Sequence, residues 1–196
     1  MKKVVYMMRH GETLFNKQKK IQGWCDAPLT ELGIEQAKHA YEFFEKHNIV
    51  FDHAYSSTSE RACDTLEIAT NYKMDYKRVK GLKEWNFGAF EGKDELLNPK
   101  LPYGDFFKAY GGEGEMEVRE RVVRTVKELM DQDGHDCVLM VSHGASCAQF
   151  YREWETYAKV ERKERLYPCC ILKFEYENDI FTCVEINNIH SPNYQG

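Results

Sequence analysis

Short apolar runs alternate with longer stretches of helical periodicity along most of this chain, and no other feature constrains its fold more. The apolar runs predict strands at residues 4–8, 53–56, 76–79 and 137–141. Apolar side chains at helical spacing predict helices at residues 30–47, 59–69, 117–130 and 145–154. Because strands that alternate with helices form a mostly parallel sheet covered on both faces, we predict an α/β fold with three α/β/α layers.

The last part of the chain departs from this alternation. Two β-rich runs, residues 170–176 and 181–186, are separated by the turn-forming sequence Glu177-Asn178-Asp179. Such a pair predicts a hairpin, which would add antiparallel strands at one edge of the sheet. We therefore expect a mixed, mostly parallel sheet.

A histidine follows the first predicted strand directly, in the sequence Arg9-His10-Gly11. In open α/β sheets, ligands bind at the carboxyl ends of the strands. A histidine beside a fixed cation at that place suits an anionic ligand. Taken alone, the pattern is explained equally well by a histidine that happens to end a strand.

The same arrangement recurs after the predicted strand at residues 137–141, where Ser142-His143-Gly144 follows. Two histidines at neighbouring strand ends can flank one phosphoryl group. A pair of metal ligands is the competing interpretation, but neither a third ligand nor a supporting carboxylate stands at the spacing of a metal site. We therefore expect no metal here.

Several further motifs stand in a fixed order around these two histidines. They are Asn16, Gln22-Gly23-Trp24, Ala27-Pro28-Leu29-Thr30-Glu31-Leu32-Gly33, Glu60-Arg61-Ala62, Leu82-Lys83-Glu84 and Glu91-Gly92. With the two histidine motifs, this set closely resembles the histidine phosphatase superfamily, which includes cofactor-dependent phosphoglycerate mutase. The resemblance covers about residues 3–155 and implies a phosphoglycerate mutase-like fold.

The resemblance implies a role in phosphoryl transfer for five residues. It makes His10 the nucleophile that becomes phosphorylated and Glu84 the general acid that protonates the leaving oxygen. The other three, which would bind or stabilise the phosphoryl oxygens, are Arg9, Arg61 and His143. The nearby arginines favour the neutral imidazole that a nucleophilic His10 requires, and a carbonyl near Gly11 can set its tautomer.

Other matching positions carry two interpretations. The resemblance implies contacts with the phosphate or with the rest of the substrate for Asn16, Gln22, Gly23 and Gly144. Turn formation is the alternative, above all for Gly23. Glu91 is a rival of Glu84 for the role of general acid, and we interpret it instead as a residue that structures its loop.

Residues 81–114 differ in composition from the segments around them. They hold seven of the thirteen glycines and seven aromatic residues. We predict an insertion over the active end of the sheet, acting as a lid or binding loop. A poorly ordered connector is the alternative, although the aromatic side chains would be costly to leave in water. We predict one domain, residues 1–196, with a lid-like insertion at about residues 81–116.

Charge and cysteine content limit the function further. The net charge of −5 argues against nucleic-acid binding, which needs a strongly basic surface. An anionic substrate must then meet local cations, either the two arginines or the lysines at 17, 19 and 20, which are otherwise a solvated face. The seven cysteines form no C-x-x-C pair, which indicates reduced thiols rather than disulfides or a zinc site.

No targeting or membrane segment is expected. The apolar run before Arg9 is too short for a signal peptide, and no run approaches the length of a membrane span. We expect a cytoplasmic monomer or homodimer that does not associate with membranes.

These observations predict a phosphomonoesterase that hydrolyses small phosphorylated metabolites without metal or cofactor. The stretch between Glu84 and the helix predicted at residue 117 is shorter than in cofactor-dependent mutases and lacks their evident basic and aromatic cluster. A phosphoglycerate mutase is the alternative. A catalytically inactive phosphate-binding module is less consistent, because both histidines and the acid are retained.

Overall fold

Six strands form one mixed sheet in the computed structural model, which describes residues 2–193. The strands are β1 (Lys3–Arg9), β2 (His53–Ser56), β3 (Lys77–Arg78), β4 (Cys137–Ser142), β5 (Ile171–Glu177) and β6 (Ile180–Asn187). Their order across the sheet is β3-β2-β4-β1-β5-β6. The first four are parallel, whereas β5 is antiparallel to β1 and β6 to β5. The predicted mixed sheet with an antiparallel edge is confirmed.

Five α-helices accompany the sheet. They are α1 (Leu14–Lys17), α2 (Glu31–Lys46), α3 (Glu60–Ala69), α4 (Glu115–Met130) and α5 (Gly144–Trp154). Short 3-10 helices lie at Lys80–Leu82, Gly88–Phe90, Glu95–Leu97, Phe106–Tyr110 and Glu155–Tyr157. The long helices match the predicted ones, and the single-turn helix α1 was not predicted. Within residues 2–193, no helix is both long and apolar enough to cross a membrane.

Two apolar clusters place the helices on opposite faces of the sheet. Alternate residues of β1 divide between them, because successive strand side chains point to opposite faces. Val5 and Met7 pack with side chains of α4 and α5, whereas Tyr6 and Met8 pack with side chains of α2 and α3. The predicted three-layer α/β/α architecture is therefore confirmed.

Local signals explain several element boundaries. The Thr30 hydroxyl accepts a hydrogen bond from the Gly33 N–H and so caps α2. The hairpin between β5 and β6 turns at Asn178 and Asp179, whose φ angles are +52° and +64°. Asn and Asp tolerate this left-handed backbone better than most residues, and the two-residue turn it produces suits the twist of paired strands.

The segment 81–114 is built around aromatic side chains. Phe107 is fully buried. Its ring makes edge-to-face contacts with Trp85, Phe87, Phe90, Tyr103 and Phe106. Such contacts add to the apolar burial that holds a segment in place where regular secondary structure is scarce. The segment is thus a packed part of the molecule and not a loose connector.

Candidate active site

His10 lies at the end of β1 with only 4% of its surface exposed. Its Nδ1 is 2.7 Å from the Gly11 carbonyl oxygen, which can only accept, so Nδ1 carries the proton. Its Nε2 is then unprotonated and accepts a hydrogen bond from the Arg61 Nε–H at 3.2 Å. Burial, followed by the charges of Arg61 and Arg9, holds the pKa of His10 well below its usual value. The result is a neutral imidazole with an available lone pair on Nε2.

The loop that carries His10 is fixed by close backbone packing against the start of α2. A Cβ atom on Gly33 would lie 2.1 Å from the Glu12 carbonyl oxygen, and one on Gly11 would lie 2.5 Å from the Gly33 carbonyl oxygen. Only glycine fits at either place. The Gly11 N–H also donates to the Thr65 hydroxyl at 3.0 Å. The position of the histidine is therefore set by the sheet and by two helices.

Arg61 is fully buried at the start of α3, and each of its five N–H donors has an acceptor. The Nε–H donates to His10, and one Nη donates to His143 Nδ1 at 2.9 Å. The other acceptors are the carbonyl oxygens of Gly23 and Cys25 and the carboxylate of Asp26. A buried guanidinium with every donor satisfied is rigid. A ligand can therefore accept a hydrogen bond from Arg61 only if it takes the place of His10 Nε2 or His143 Nδ1 as the acceptor.

His143 stands beside His10 because β1 and β4 are parallel neighbours with Arg9 opposite Ser142. The two ring centres are 5.2 Å apart. Since His143 Nδ1 accepts from Arg61, its Nε2 carries the proton and donates to the Ser57 hydroxyl at 2.7 Å. Burial, then the charge of Arg61, keeps the pKa of His143 well below its usual value. The predicted pairing of two strand-end histidines is present.

Glu84 is held at the N-terminus of α5. Its carboxylate accepts hydrogen bonds from the N–H groups of Trp85, Ala145 and Ser146, all at 2.9 Å. The Ser146 hydroxyl donates to it as well, at 3.1 Å. Although Glu84 is only 6% exposed, it lines a cavity that Arg9 and Gly144 also line. A carboxyl group in this place is fixed within reach of any ligand in that cavity.

Glu91, the rival acid, is engaged with backbone instead. Its two carboxylate oxygens accept from the N–H groups of Gly23, Trp24, Cys25 and Phe87 at 2.8–3.0 Å. It does not line the cavity. Four backbone donors converging on one carboxylate fit the interpretation of Glu91 as the residue that structures its loop.

Arg9 completes the cation set around the histidines. One Nη donates to the Leu166 carbonyl oxygen at 2.6 Å, while the Nε is buried without a partner. Gly144 leaves room for this guanidinium, because a Cβ there would be 3.3 Å from the Arg9 Nε. Burial is the main cause that lowers the pKa of Arg9, with the charge of Glu84 opposing it. An orphaned guanidinium nitrogen beside the nucleophile fits an anion.

The remaining predicted contacts divide into two groups. Asn16, Gln22 and Gly144 line the cavity. Gln22 Nε2 is buried without a partner, which fits a donor waiting for an anionic group. Gly23, like His10, Arg61 and His143, does not line the cavity. Its carbonyl oxygen accepts from Arg61 and its N–H donates to Glu91, so this glycine supports Arg61, and its contact with substrate stays a prediction.

The cavity that these residues line has a volume of about 330 Å³, the size of a small metabolite. Of the three lysines noted in the sequence, Lys20 lines it, and Lys17 and Lys19 do not. Among residues 2–193, no group of three or more His, Cys, Asp or Glu is placed to hold a metal ion. The seven cysteines are all free thiols.

Several residues at the site had no place in the sequence prediction. Asp26 and Ser57 hold Arg61 and His143, and Ser57 lies just past the end of β2, at the same sheet edge as the two histidines. That strand-end position is a signal by which Ser57 could have been found. Arg162 and Arg165 also line the cavity, but they belong to a segment with no motif and no periodicity.

Known proteins resemble this chain both in sequence and in structure. A probable phosphoglycerate mutase GpmB of Proteus mirabilis is 30% identical over 188 residues, which cover 89% of this chain and 85% of that protein. Several other curated relatives are named 2,3-bisphosphoglycerate-dependent phosphoglycerate mutases. The chain spans less than half of the length of those relatives.

Solved structures extend the similarity to the whole fold. A phosphoglycerate mutase from Bacillus anthracis aligns with a TM-score of 0.83 and 26% identity, covering 96% of this chain and 94% of that one. A phosphoserine phosphatase from Entamoeba histolytica, solved with 3-phosphoglyceric acid, aligns with a TM-score of 0.77 and 26% identity, covering 94% and 96%. The sequence pattern of the histidine phosphatase superfamily (branch 1) matches residues 5–189.

Proposed function

The chain belongs to the histidine phosphatase superfamily, and from that premise we propose that it is a phosphomonoesterase acting on small phosphorylated metabolites through a phosphohistidine at His10. The observation that carries the proposal is the neutral, buried His10, whose Nε2 lone pair accepts from Arg61 and whose pKa is lowered by burial and by the charges of Arg61 and Arg9. A neutral imidazole is the form that attacks phosphorus, and arginines are the side chains best suited to phosphoryl oxygens.

In the first step, His10 Nε2 forms a bond to phosphorus while the bond from phosphorus to the leaving oxygen breaks. Glu84 acts as the general acid and gives a proton to that oxygen. The Arg61 Nε–H then loses its acceptor on His10 and becomes available to a phosphoryl oxygen. Arg9 supplies further donors to the developing charge, and the His143 Nε2–H does so when it exchanges its hydrogen bond to Ser57 for one to a phosphoryl oxygen.

In the second step, water attacks the phosphohistidine and the bond between phosphorus and Nε2 breaks. The Glu84 carboxylate accepts the proton of the attacking water, and inorganic phosphate leaves. Each residue is thereby returned to its starting form. The charge of the phosphoryl group is met by guanidinium and imidazole donors throughout, so we propose that the reaction proceeds without a metal ion.

Access of water favours hydrolysis over transfer to a second hydroxyl. The cavity is lined in part by exposed residues, including Leu101, which is 69% exposed, and Arg165. A mutase must shield its phosphohistidine from water, whereas a phosphatase must admit it. Phosphoglycerate mutase remains the second candidate, because the curated relatives named above carry that name.

A screen of phosphorylated metabolites separates the two functions. Phosphate release is measured for each substrate, and 3-phosphoglycerate with its bisphosphate cofactor is assayed in parallel for conversion to 2-phosphoglycerate. We expect phosphate release to exceed isomerisation for at least one substrate. Rapid isomerisation with negligible phosphate release from every substrate would replace the phosphatase proposal with the mutase.

A further inference from the structure

The cavity beside Arg9 and Glu84 carries positive charge that the phosphoryl chemistry does not use. Besides Arg9, it is lined by Lys20, which follows α1, and by Arg162 and Arg165, which lie in the segment between α5 and β5. Glu95 lines the cavity as well; it is exposed and forms no ion pair among residues 2–193. We call Lys20, Arg162 and Arg165 the distal cations.

The distal cations have no carboxylate partners. Among residues 2–193, none of the three forms an ion pair, and the Arg162 Nε is buried without any hydrogen-bond partner. Arg152, which lines the same cavity, provides a contrast because it donates to Glu115 at 2.7 Å. The fold thus neutralises one cavity arginine and leaves the others free for a ligand. An orphaned, buried guanidinium nitrogen calls for such a partner.

The backbone that carries the two arginines is held in place. The Arg162 backbone N–H donates to the Tyr151 hydroxyl at 3.0 Å, and the Arg165 backbone carbonyl accepts from Asn188 Nδ2 at 2.9 Å. The Arg165 guanidinium lies 4.4 Å from the ring centre of Tyr167, within the range of a cation–π contact. Fixing a side chain before binding lowers the entropy that binding must overcome.

This segment is joined directly to the phosphoryl site. The Leu166 carbonyl oxygen, next to Arg165, accepts from Arg9 at 2.6 Å. Arg9 lines the same cavity as the distal cations, so a molecule whose phosphate lies against Arg9 has the rest of its body within reach of them. A guanidinium presents paired N–H donors, which match the two oxygens of a carboxylate or a phosphate.

Building on the proposed phosphatase activity, we propose that the distal cations bind a second anionic group of the substrate. The preferred substrates are then small phosphate monoesters that carry a carboxylate or a second phosphate in addition to the reacting one. Arg162 and Arg165 are the specificity-determining residues. Monoesters of the same size without a second anionic group react more slowly because they leave these cations without a partner.

Matched substrate pairs test this specificity. 3-Phosphoglycerate and glycerol 3-phosphate differ only in a carboxylate that replaces a hydroxymethyl group, and fructose 1,6-bisphosphate and fructose 6-phosphate differ only in the second phosphate. We expect wild type to show a higher kcat/KM for the more anionic member of at least one pair. Arg162→Gln and Arg165→Gln should each lower that kcat/KM by about 10- to 100-fold, mainly through KM. The kcat/KM for the member without the second anionic group should change by less than about twofold.

Arg124→Gln is the matched control, because Arg124 is an exposed arginine on α4 that does not line the cavity. It should leave all four substrates unchanged. A wild type without preference in either pair, or variants that lose equally on both members, would overturn the proposal. The pair that shows the effect decides whether the second group is a carboxylate or a phosphate.

A binding measurement keeps this proposal separate from the proposed function. If wild type releases phosphate from no substrate, the phosphatase proposal fails, and protection against thermal unfolding then reports binding alone. Greater protection by 3-phosphoglycerate or fructose 1,6-bisphosphate than by its partner, reduced in Arg165→Gln and retained in Arg124→Gln, would support the second anion site. Equal protection within both pairs would overturn it.

Discussion

The sheet edge and the segment 81–114 both supply the candidate site, but they hold their side chains by different means. His10 and His143 are placed by the register of β1 against β4, which backbone hydrogen bonds fix along the whole strand. Glu84 and Glu91 lie in a segment with only short 3-10 helices, and their own carboxylates make the bonds that hold them. The two histidines are therefore positioned by strand pairing. The two glutamates are positioned by hydrogen bonds that their own carboxylates accept.

The two glutamates show the consequence of that difference. The Glu84 carboxylate anchors to the start of α5 and still lines the cavity, so it can both structure and react. The Glu91 carboxylate accepts hydrogen bonds from four backbone N–H groups, and Glu91 does not line the cavity. Two of those N–H groups, on Gly23 and Cys25, belong to residues whose carbonyls hold Arg61. Glu91 thus acts on the sheet-edge site through Arg61.

Replacement of His10 by alanine should have the largest effect. Loss of the proposed nucleophile should lower kcat by about five to six orders of magnitude. Steady-state hydrolysis of p-nitrophenyl phosphate measures this, with His39→Ala as the control, since His39 is an exposed histidine of α2. An alanine variant that keeps near wild-type kcat would remove His10 from the mechanism.

Glu84→Gln should slow alkyl phosphates far more than aryl phosphates. An alkoxide needs a proton as it leaves and a nitrophenolate hardly does, so kcat on an alkyl phosphate should fall by about 10²–10⁴. The comparison is the rate of phosphohistidine formation from each substrate. The same loss on both would show that Glu84 only holds the start of α5.

Glu91→Gln should behave as a structural change. Gln has one acceptor oxygen for four backbone donors, so we expect the free energy of unfolding to fall by about 2–4 kcal/mol. Any loss of activity should be equal on alkyl and aryl phosphates, because it would arise through Arg61. Urea unfolding and the two assays together check this, and a loss that depends on the leaving group would move the acid role to Glu91.

The pH dependence of stability should report the two buried histidines. Their folded pKa values lie well below 6.5, so on acidification the unfolded chain takes up protons that the folded chain does not. Stability should therefore decrease as the pH falls below about 6.5, by up to about 1.4 kcal/mol per pH unit for each histidine. Urea unfolding of wild type and His143→Gln at several pH values tests this. The variant should show the shallower slope, and identical slopes would contradict neutral burial of His143.

The sheet and its covering helices could be predicted because short apolar runs alternate with stretches of helical periodicity between residues 4 and 186. The insertion could not be predicted in detail, since it is held by aromatic contacts around Phe107 that leave no periodic signal. The hydrogen bonds of Gly23 with Arg61 and Glu91 could not be predicted for a related reason. A glycine has no side chain to indicate whether its backbone faces a ligand or a neighbouring arginine.

Arg9, His10 and His143 could be predicted from motifs at strand ends, whereas Arg61, at the start of α3, was implied only by the family resemblance. The supporting residues are harder to find, because Asp26 and Ser57 act through contacts with residues distant in sequence. Arg162 and Arg165 reach the cavity only after the segment beyond α5 folds back onto Arg9. Charge alone does not distinguish them from other surface arginines.

The most direct test of the mechanism is to trap the phosphoenzyme. Enzyme mixed with labelled phosphomonoester is quenched in alkali during turnover, and the label is then mapped by peptide mass spectrometry. We predict a label that survives base, is lost in acid, lies on His10 and is absent from His10→Ala. A label on another residue, or one that survives acid, would contradict nucleophilic catalysis by the histidine at the end of β1.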